Sequence, residues 1–405
     1  MKIAIVGAGP AGCHLAHLLT DTEHEILLFD HRAPYEKPCG GGLSPIVGRR
    51  FPDVMALPFT RHRPPQAILR ASDGSQIEHA LDSSNWAIAS RTELGRALLD
   101  RAVGNNRLRR IRHRVVGVER SGEGWSVRAA SGETFSAEFL VGADGVRGVV
   151  RRQVVGPIAP KHLAMAVGYH VRGVPDAILF QTFADLEGYL WSFPRVDHAS
   201  VGICSRWGTL PARDLWTRLD RSLDEMCPGT EKLGRFVAAL PMARDLSLWD
   251  APCVGQGWAL VGDAAGHVHP LTGEGIAYAL WSAELLAEAL GDGDPQLYES
   301  RWRQEYGSAM MAACAMLSSA GSGHGRYELI FQLAMAMVPP ERQTRVSSEA
   351  TRSGCGANIA PMRLVTTSND SSRKGRASAS PSSKRASNAS AWARSRARST
   401  RFVAM

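Results

Sequence analysis

Short apolar runs alternate with helically spaced stretches from the first residues of this chain. Residues 3–6 form a compact apolar run, residues 10–19 carry apolar side chains at helical spacing, and residues 25–29 are apolar again, which predicts a βαβ start. Residues 66–80 and 112–135 predict hairpin strands, with turns at Asp73-Gly74 and Ser131-Gly132. Residues 139–143 form another buried strand. Alternation over 165–206 predicts several antiparallel strands, and 214–226 reads as a helix. A last buried strand at 258–261 precedes a strongly apolar helix at 276–290, with two further helices expected near 296–318 and 326–338.

After Pro339-Pro340 the pattern stops. Residues 341–405 hold 13 Lys and Arg against 3 Asp and Glu, so the net charge of +8 belongs to this segment and the rest of the chain is close to neutral. Ser, Ala, Arg and Thr dominate residues 366–405. Such a segment has too little apolar surface to offset its ordering entropy, and the expectation is a disordered basic tail. A nucleic-acid arm is not favoured, because no aromatic or helical pattern accompanies the charge. The body's 340 residues exceed what one core buries comfortably, so two lobes are expected. The seven cysteines are scattered and include no C-x-x-C pair, which argues against a metal site and against a disulfide framework. With no basic leader before the first strand and no apolar run of membrane-spanning length, a cytoplasmic protein is expected.

Three loops carry the candidate chemistry. Gly7-Ala8-Gly9-Pro10-Ala11-Gly12 joins the first strand to the first helix. Gly7 permits the tight turn, Gly9 lets the backbone approach a pyrophosphate, and Gly12 lets helix and strand pack closely, with the helix N-terminus facing the phosphate charge. Asp30 ends the second strand, where a carboxylate can accept from ribose hydroxyls. The second loop contains Asp144-Gly145. The third, Gly262-Asp263-Ala264-Ala265-Gly266, runs on to Pro270-Leu271-Thr272-Gly273-Glu274-Gly275 and Ile276 at the start of the long helix.

In this order and spacing the three loops resemble the FAD-binding fold of the para-hydroxybenzoate hydroxylase class. That resemblance implies FAD, with Asp263 bonded to a ribityl hydroxyl, Asp144-Gly145 closing over the dinucleotide and Arg91 beside it. Two more segments, Lys37-Pro38-Cys39-Gly40-Gly41-Gly42 and Tyr189-Leu190-Trp191-Ser192-Phe193-Pro194, resemble the geranylgeranyl reductase family. One departure stands out: Gly202-Ile203-Cys204 ends in Cys where the family motif ends in Gly. The resemblance covers roughly residues 1–340. It implies an α/β protein in which a Rossmann-like FAD-binding domain (1–50, 88–155 and 257–295) holds an inserted antiparallel-sheet substrate domain (51–87 and 156–256). Short C-terminal helices (296–340) and the tail (341–405) follow.

Tyr189, Trp191 and Phe193 alternate along a strand and therefore share one face, a wall suited to an isoprenoid chain; Pro194 closes the motif. The implied reaction is reduction of C=C bonds in a polyprenyl lipid or quinone. Cys39 and His267 are the candidate proton donors, and Gly40, Pro270, Gly273 and Gly275 are the small or rigid residues that border the flavin. The electron donor is NADPH or a ferredoxin, and peripheral contact with the inner membrane face is a further expectation. Two alternatives stand beside this reading: a flavin-dependent monooxygenase or halogenase, and a non-catalytic flavin-binding protein.

Overall fold

The computed structural model describes residues 1–81, 85–104, 107–319 and 344–346. All of them fall in one compact unit. A six-stranded sheet runs in the order Val254–Gly255, Trp258–Leu260, Phe139–Gly142, Lys2–Val6, Glu25–Phe29 and Leu108–Ile111. Its pairs are parallel except at Val254–Gly255. Parallel strands covered on both faces read as continuous apolar runs, and Ile3, Ala4, Ile5, Ile26 and Leu28 are indeed fully buried. Helix Pro10–Leu18 packs between helices Arg91–Val103 and Ile276–Gly291 on one face. A three-stranded antiparallel sheet, Val115–Ser121, Gly124–Ala129 and Thr134–Ala137, lies against the sheet, with Phe135 edge-on to Phe29 at 5.2 Å.

The second large sheet has eight strands in the order Glu231–Pro241, Leu163–Arg172, Ala199–Arg206, Gly188–Pro194, Ile178–Thr182, Gln66–Arg70, Gln76–Ala80 and Thr344–Val346. It is antiparallel apart from one pair. Ile178–Thr182 runs parallel to Gln66–Arg70, because that hairpin comes from a distant part of the chain and not from the meander itself. Helix Ala212–Met226 covers one face, burying Leu215, Leu219 and Leu223 against Val167, Val201 and Ile203.

Most expected elements form within a residue or two of their expected limits. The edge strand Glu231–Pro241 was not anticipated, since its Lys, Gly and Arg break the alternation that marks a half-buried strand. The helix expected over 296–318 is divided: Leu297–Trp302, a π-helical turn Arg303–Gly307 and Ser308–Ser319. Three residues of the basic segment, Thr344–Val346, pair with Gln76–Ala80 at the sheet edge. The expected helix at 326–338 and the remainder of the tail lie outside the described residues. No helix among the described residues is long and apolar enough to cross a membrane.

Candidate active site

The glycine-rich loop has the geometry its sequence implies. Gly7 adopts φ +106°, and a Cβ there would strike the backbone of Ala143; a Cβ at Gly12 would collide with the Gly7 carbonyl oxygen. These two glycines are required by the protein's own packing. Gly9 differs: a Cβ there would meet nothing within 4 Å, so the space it faces is free for a ligand. Helices Pro10–Leu18 and Ile276–Gly291 both begin without a side-chain cap, at Gly9 and Gly275. Their first N–H groups therefore have no side-chain acceptor. At Gly262 the three segments converge, with Ala11 and Ala279 both within 3.4 Å of where a Cβ would lie. An open cradle between two uncapped helix starts fits the pyrophosphate and flavin halves of FAD.

The acids around this cradle are held by the chain itself. Asp30 accepts from the N–H of Ala8 at 3.0 Å and of Arg32 and Ala33 at 2.8 and 2.9 Å, tying the glycine loop to the segment after the second strand. Asp263 pairs with Lys37 at 3.2 Å. Asp144 turns back to the start of its own helix, accepting from Val150 N–H at 3.1 Å. Burial pushes its carboxyl up to about 6, and its second oxygen has no partner. Gly145, at φ +79°, takes the left-handed turn that follows.

Cys39 lies half-buried beside Arg91 at the start of helix Arg91–Val103, and Gly41 N–H donates to its sulfur at 3.3 Å. Burial pushes the thiol up, but Arg91, the Gly41 N–H and Lys37 outweigh burial and bring it below the ordinary thiol value. Replacing Arg91 with Gln is expected to raise the Cys39 thiol again. The check is the pH dependence of thiol alkylation in a Cys355→Ser background. Cys39 is the one half-exposed cysteine among the described residues, so it dominates that signal.

Glu36 and Arg195 brace the candidate site and carry no sequence signal. Arg195 has 3% of its side chain exposed and donates to Glu36 at 2.8 Å and to the Cys39 carbonyl at 3.1 Å. Glu36 in turn accepts from Ser90 Oγ at 2.7 Å and Thr92 N–H at 3.1 Å, at the start of the helix that carries Arg91. One ion pair therefore joins the end of the strand Gly188–Pro194, the Cys39 loop and the Arg91 helix.

His267 requires a correction. Its side chain is fully buried among Trp302, Tyr306 and Tyr298, with Nδ1 2.9 Å from the Tyr306 hydroxyl. Burial first, then Arg151 and Arg303, push it down to about 3. The neutral imidazole is sealed in an aromatic nest with no exposed surface, its Nε2 unpartnered, and from there it does not reach a substrate as a proton donor. The rest of the turn is built from backbone: His269 N–H donates to the Glu274 carbonyl and Gly273 N–H to the His269 carbonyl, with Pro270 and Ile276 buried on either side.

The aromatic strand behaves as its alternation requires. On the sheet face opposite helix Ala212–Met226, the cross-strand register forms three rows. Tyr189 stands opposite Cys204, then Ala166 and Ala238; Trp191 stands opposite Gly202, then Gly168 and Phe236; Phe193 stands opposite Ser200, then His170 and Gly234. Both glycines in the middle row are needed, because a Cβ on Gly202 would collide with Trp191 and one on Gly168 with Phe236. Cys204, where the family motif has Gly, lies buried in the first row opposite Tyr189. The row ends meet the cofactor loops. The Tyr189 hydroxyl donates to the Thr272 carbonyl, and the Phe193 ring lies against Gly40 and Gly42.

This juxtaposition of a cradle, a Cys-containing glycine loop and an aromatic face agrees with the comparisons. Residues 1–217 match the FAD binding domain family. The chain belongs to that family. The flavoprotein is 28% identical over 352 residues to digeranylgeranylglycerophospholipid reductase 1 of Methanopyrus kandleri, covering 75% of this chain and 86% of the relative. It is 28% identical over 328 residues to the menaquinone reductase of Mycolicibacterium smegmatis, covering 74% and 78%. A geranylgeranyl bacteriochlorophyll reductase-like protein of Thermoplasma acidophilum shares the fold, with a TM-score of 0.69 at 21% identity over 84% of this chain and 94% of that one. The flavoprotein is an FAD-dependent oxidoreductase with geranylgeranyl reductase-like relatives.

Proposed function

We propose that this flavoprotein reduces C=C bonds of a polyprenyl lipid or quinone. The observation that carries the reading is the aromatic face, whose rows end against the Cys39 loop on one side and the Thr272–Gly273 turn on the other. Phe180, Phe193, Phe236 and Leu240 on this face are only half-buried, which leaves apolar surface for a flexible hydrocarbon. The named relatives act on prenyl lipids and quinones, which supports the same class here.

Gly7, Gly9, Gly12 and Asp30 would hold the adenine half of FAD, and Arg91, Asp263, Gly273 and Gly275 the flavin half. Reduced FAD supplies the hydride that such a reduction needs, with NADPH or a ferredoxin as its source of electrons. Cys39 holds the proton for the second carbon, and Arg91 with the Gly41 N–H stabilises the thiolate left behind. Tyr189, Trp191, Phe193 and Pro194 orient the chain and exclude water. Substrate of this kind is reached at a membrane surface, so peripheral contact is part of the reading.

Reduced holoenzyme mixed anaerobically with a prenylquinone or a prenyl phospholipid should be reoxidised, the product gaining two mass units per bond. Cys39→Ala should slow that step about 10²-fold with FAD still bound. A product one oxygen heavier, formed only with air present, would replace this reading with monooxygenation.

A further inference from the structure

The aromatic face is not apolar throughout. Its last row ends in Ser200 and His170, beside the hairpin turn that carries Arg195 and His198. His170 stands on the same side of its strand as Gly168, its ring 5.3 Å from Phe236 and 5.2 Å from His198. Its Nδ1 is buried and has no hydrogen-bond partner. Opposite it, Gly234 leaves open space, with nothing within 4 Å of where a Cβ would lie. A buried ring nitrogen without a partner is costly unless a ligand supplies one.

The charges nearby decide what kind of ligand that is. Arg206, two residues beyond Cys204 on the same side of its strand, is 4% exposed and pairs with Glu187 at 2.6 Å. Arg195, at the opposite corner, pairs with Glu36 at 2.8 Å. His198 pairs with Asp197 at 2.7 Å. His170 is itself held toward the neutral form, by burial first and then by Arg195 and His198. Arg206 and Arg195, the buried arginines at the two ends of the face, thus have their counter-charges in the protein, and a diphosphate would have to compete with Glu187 or Glu36 for them.

Ser200 is fully buried and its hydroxyl accepts from the Trp191 indole N–H, so His170 is the polar group this end of the face offers. Resting on the prenyl reading above, the geometry points to a head-group subsite at His170 that takes an uncharged hydrogen-bonding ring, a quinone or quinol, in preference to a prenyl diphosphate. The quinone carbonyl would meet His170, and the prenyl chain would run from there across Trp191 and Phe236 toward the row of Ala166 and Cys204.

The test is equilibrium binding to oxidised holoenzyme, read from the flavin absorbance, for three probes: a menaquinone with a two-unit prenyl chain, geranylgeranyl diphosphate and the headless hydrocarbon farnesene. The quinone should bind more tightly than the diphosphate. His170→Leu should weaken the quinone about tenfold, the effect of one lost hydrogen bond to a buried partner, while farnesene changes by less than about twofold. His170→Asn, which keeps a donor near the Nδ1 position, should recover most of that loss. Tighter binding of the diphosphate, or equal losses for quinone and farnesene in His170→Leu, overturns the subsite alone. If none of the three binds the wild-type protein, the prenyl reading fails and the subsite with it.

Discussion

Gly9→Val should yield folded protein without colour. A Cβ at Gly9 meets no protein atom within 4 Å, so the valine side chain is accommodated in the apoprotein and its branches fill the space the pyrophosphate needs. Flavin content after purification should fall about 10²-fold or more, while the melting temperature of the flavin-free protein stays within a few degrees of wild-type apoprotein. Gly12→Val provides the contrast. There the new Cβ collides with the Gly7 carbonyl, and the same loss of flavin should come with loss of soluble protein. Full flavin occupancy in Gly9→Val would remove the cradle from the FAD site.

Glu36→Ala should produce the largest loss of stability outside the hydrophobic core. It strands Arg195, whose side chain is 3% exposed, without its counter-charge. Breaking such a pair from one side costs about 3–5 kcal/mol. For a domain of this size that corresponds to a fall in Tm of roughly 10 °C. The pH dependence follows from the same contact. Burial pushes the Glu36 carboxyl up, but Arg195, the Ser90 hydroxyl and the Thr92 N–H outweigh it and hold it at about 2. A depressed carboxylate contributes stability that is complete above its unfolded value, near 4.5, and is lost as pH falls through about 2. Urea unfolding between pH 6 and 2.5 should therefore show the wild type losing its advantage over Glu36→Gln at the acid end. Parallel curves for the two proteins would show that the pair contributes nothing.

The FAD cradle was legible because its requirements are backbone requirements. Gly7 and Gly12 sit where no side chain fits, and the alternation at Tyr189, Trp191 and Phe193 places three rings on one face whatever surrounds them. His267 was misread because a histidine in a loop beside a flavin motif has the same local sequence whether it faces the ring or the core. Trp302 and Tyr306, which bury it, lie in a helical segment more than 30 residues further on. Glu36 and Arg195 carried no signal at all. They are 159 residues apart, and the contact that Arg195 makes with His198 three residues on gives no hint of the carboxylate that neutralises it.

Local spacing thus determined the βαβ start, the glycine positions and the periodicity of each strand, since these depend on φ, on the pleat and on side chains a few residues apart. Tertiary structure decided how the rows of the second sheet line up. Only the register between Gly188–Pro194, Ala199–Arg206 and Leu163–Arg172 brings Trp191 over Gly202 and puts His170 at the end of the apolar face. It also decided which charges are already matched. A carboxylate and a guanidinium neutralise each other by distance in space, and distance along the chain carries no information about that.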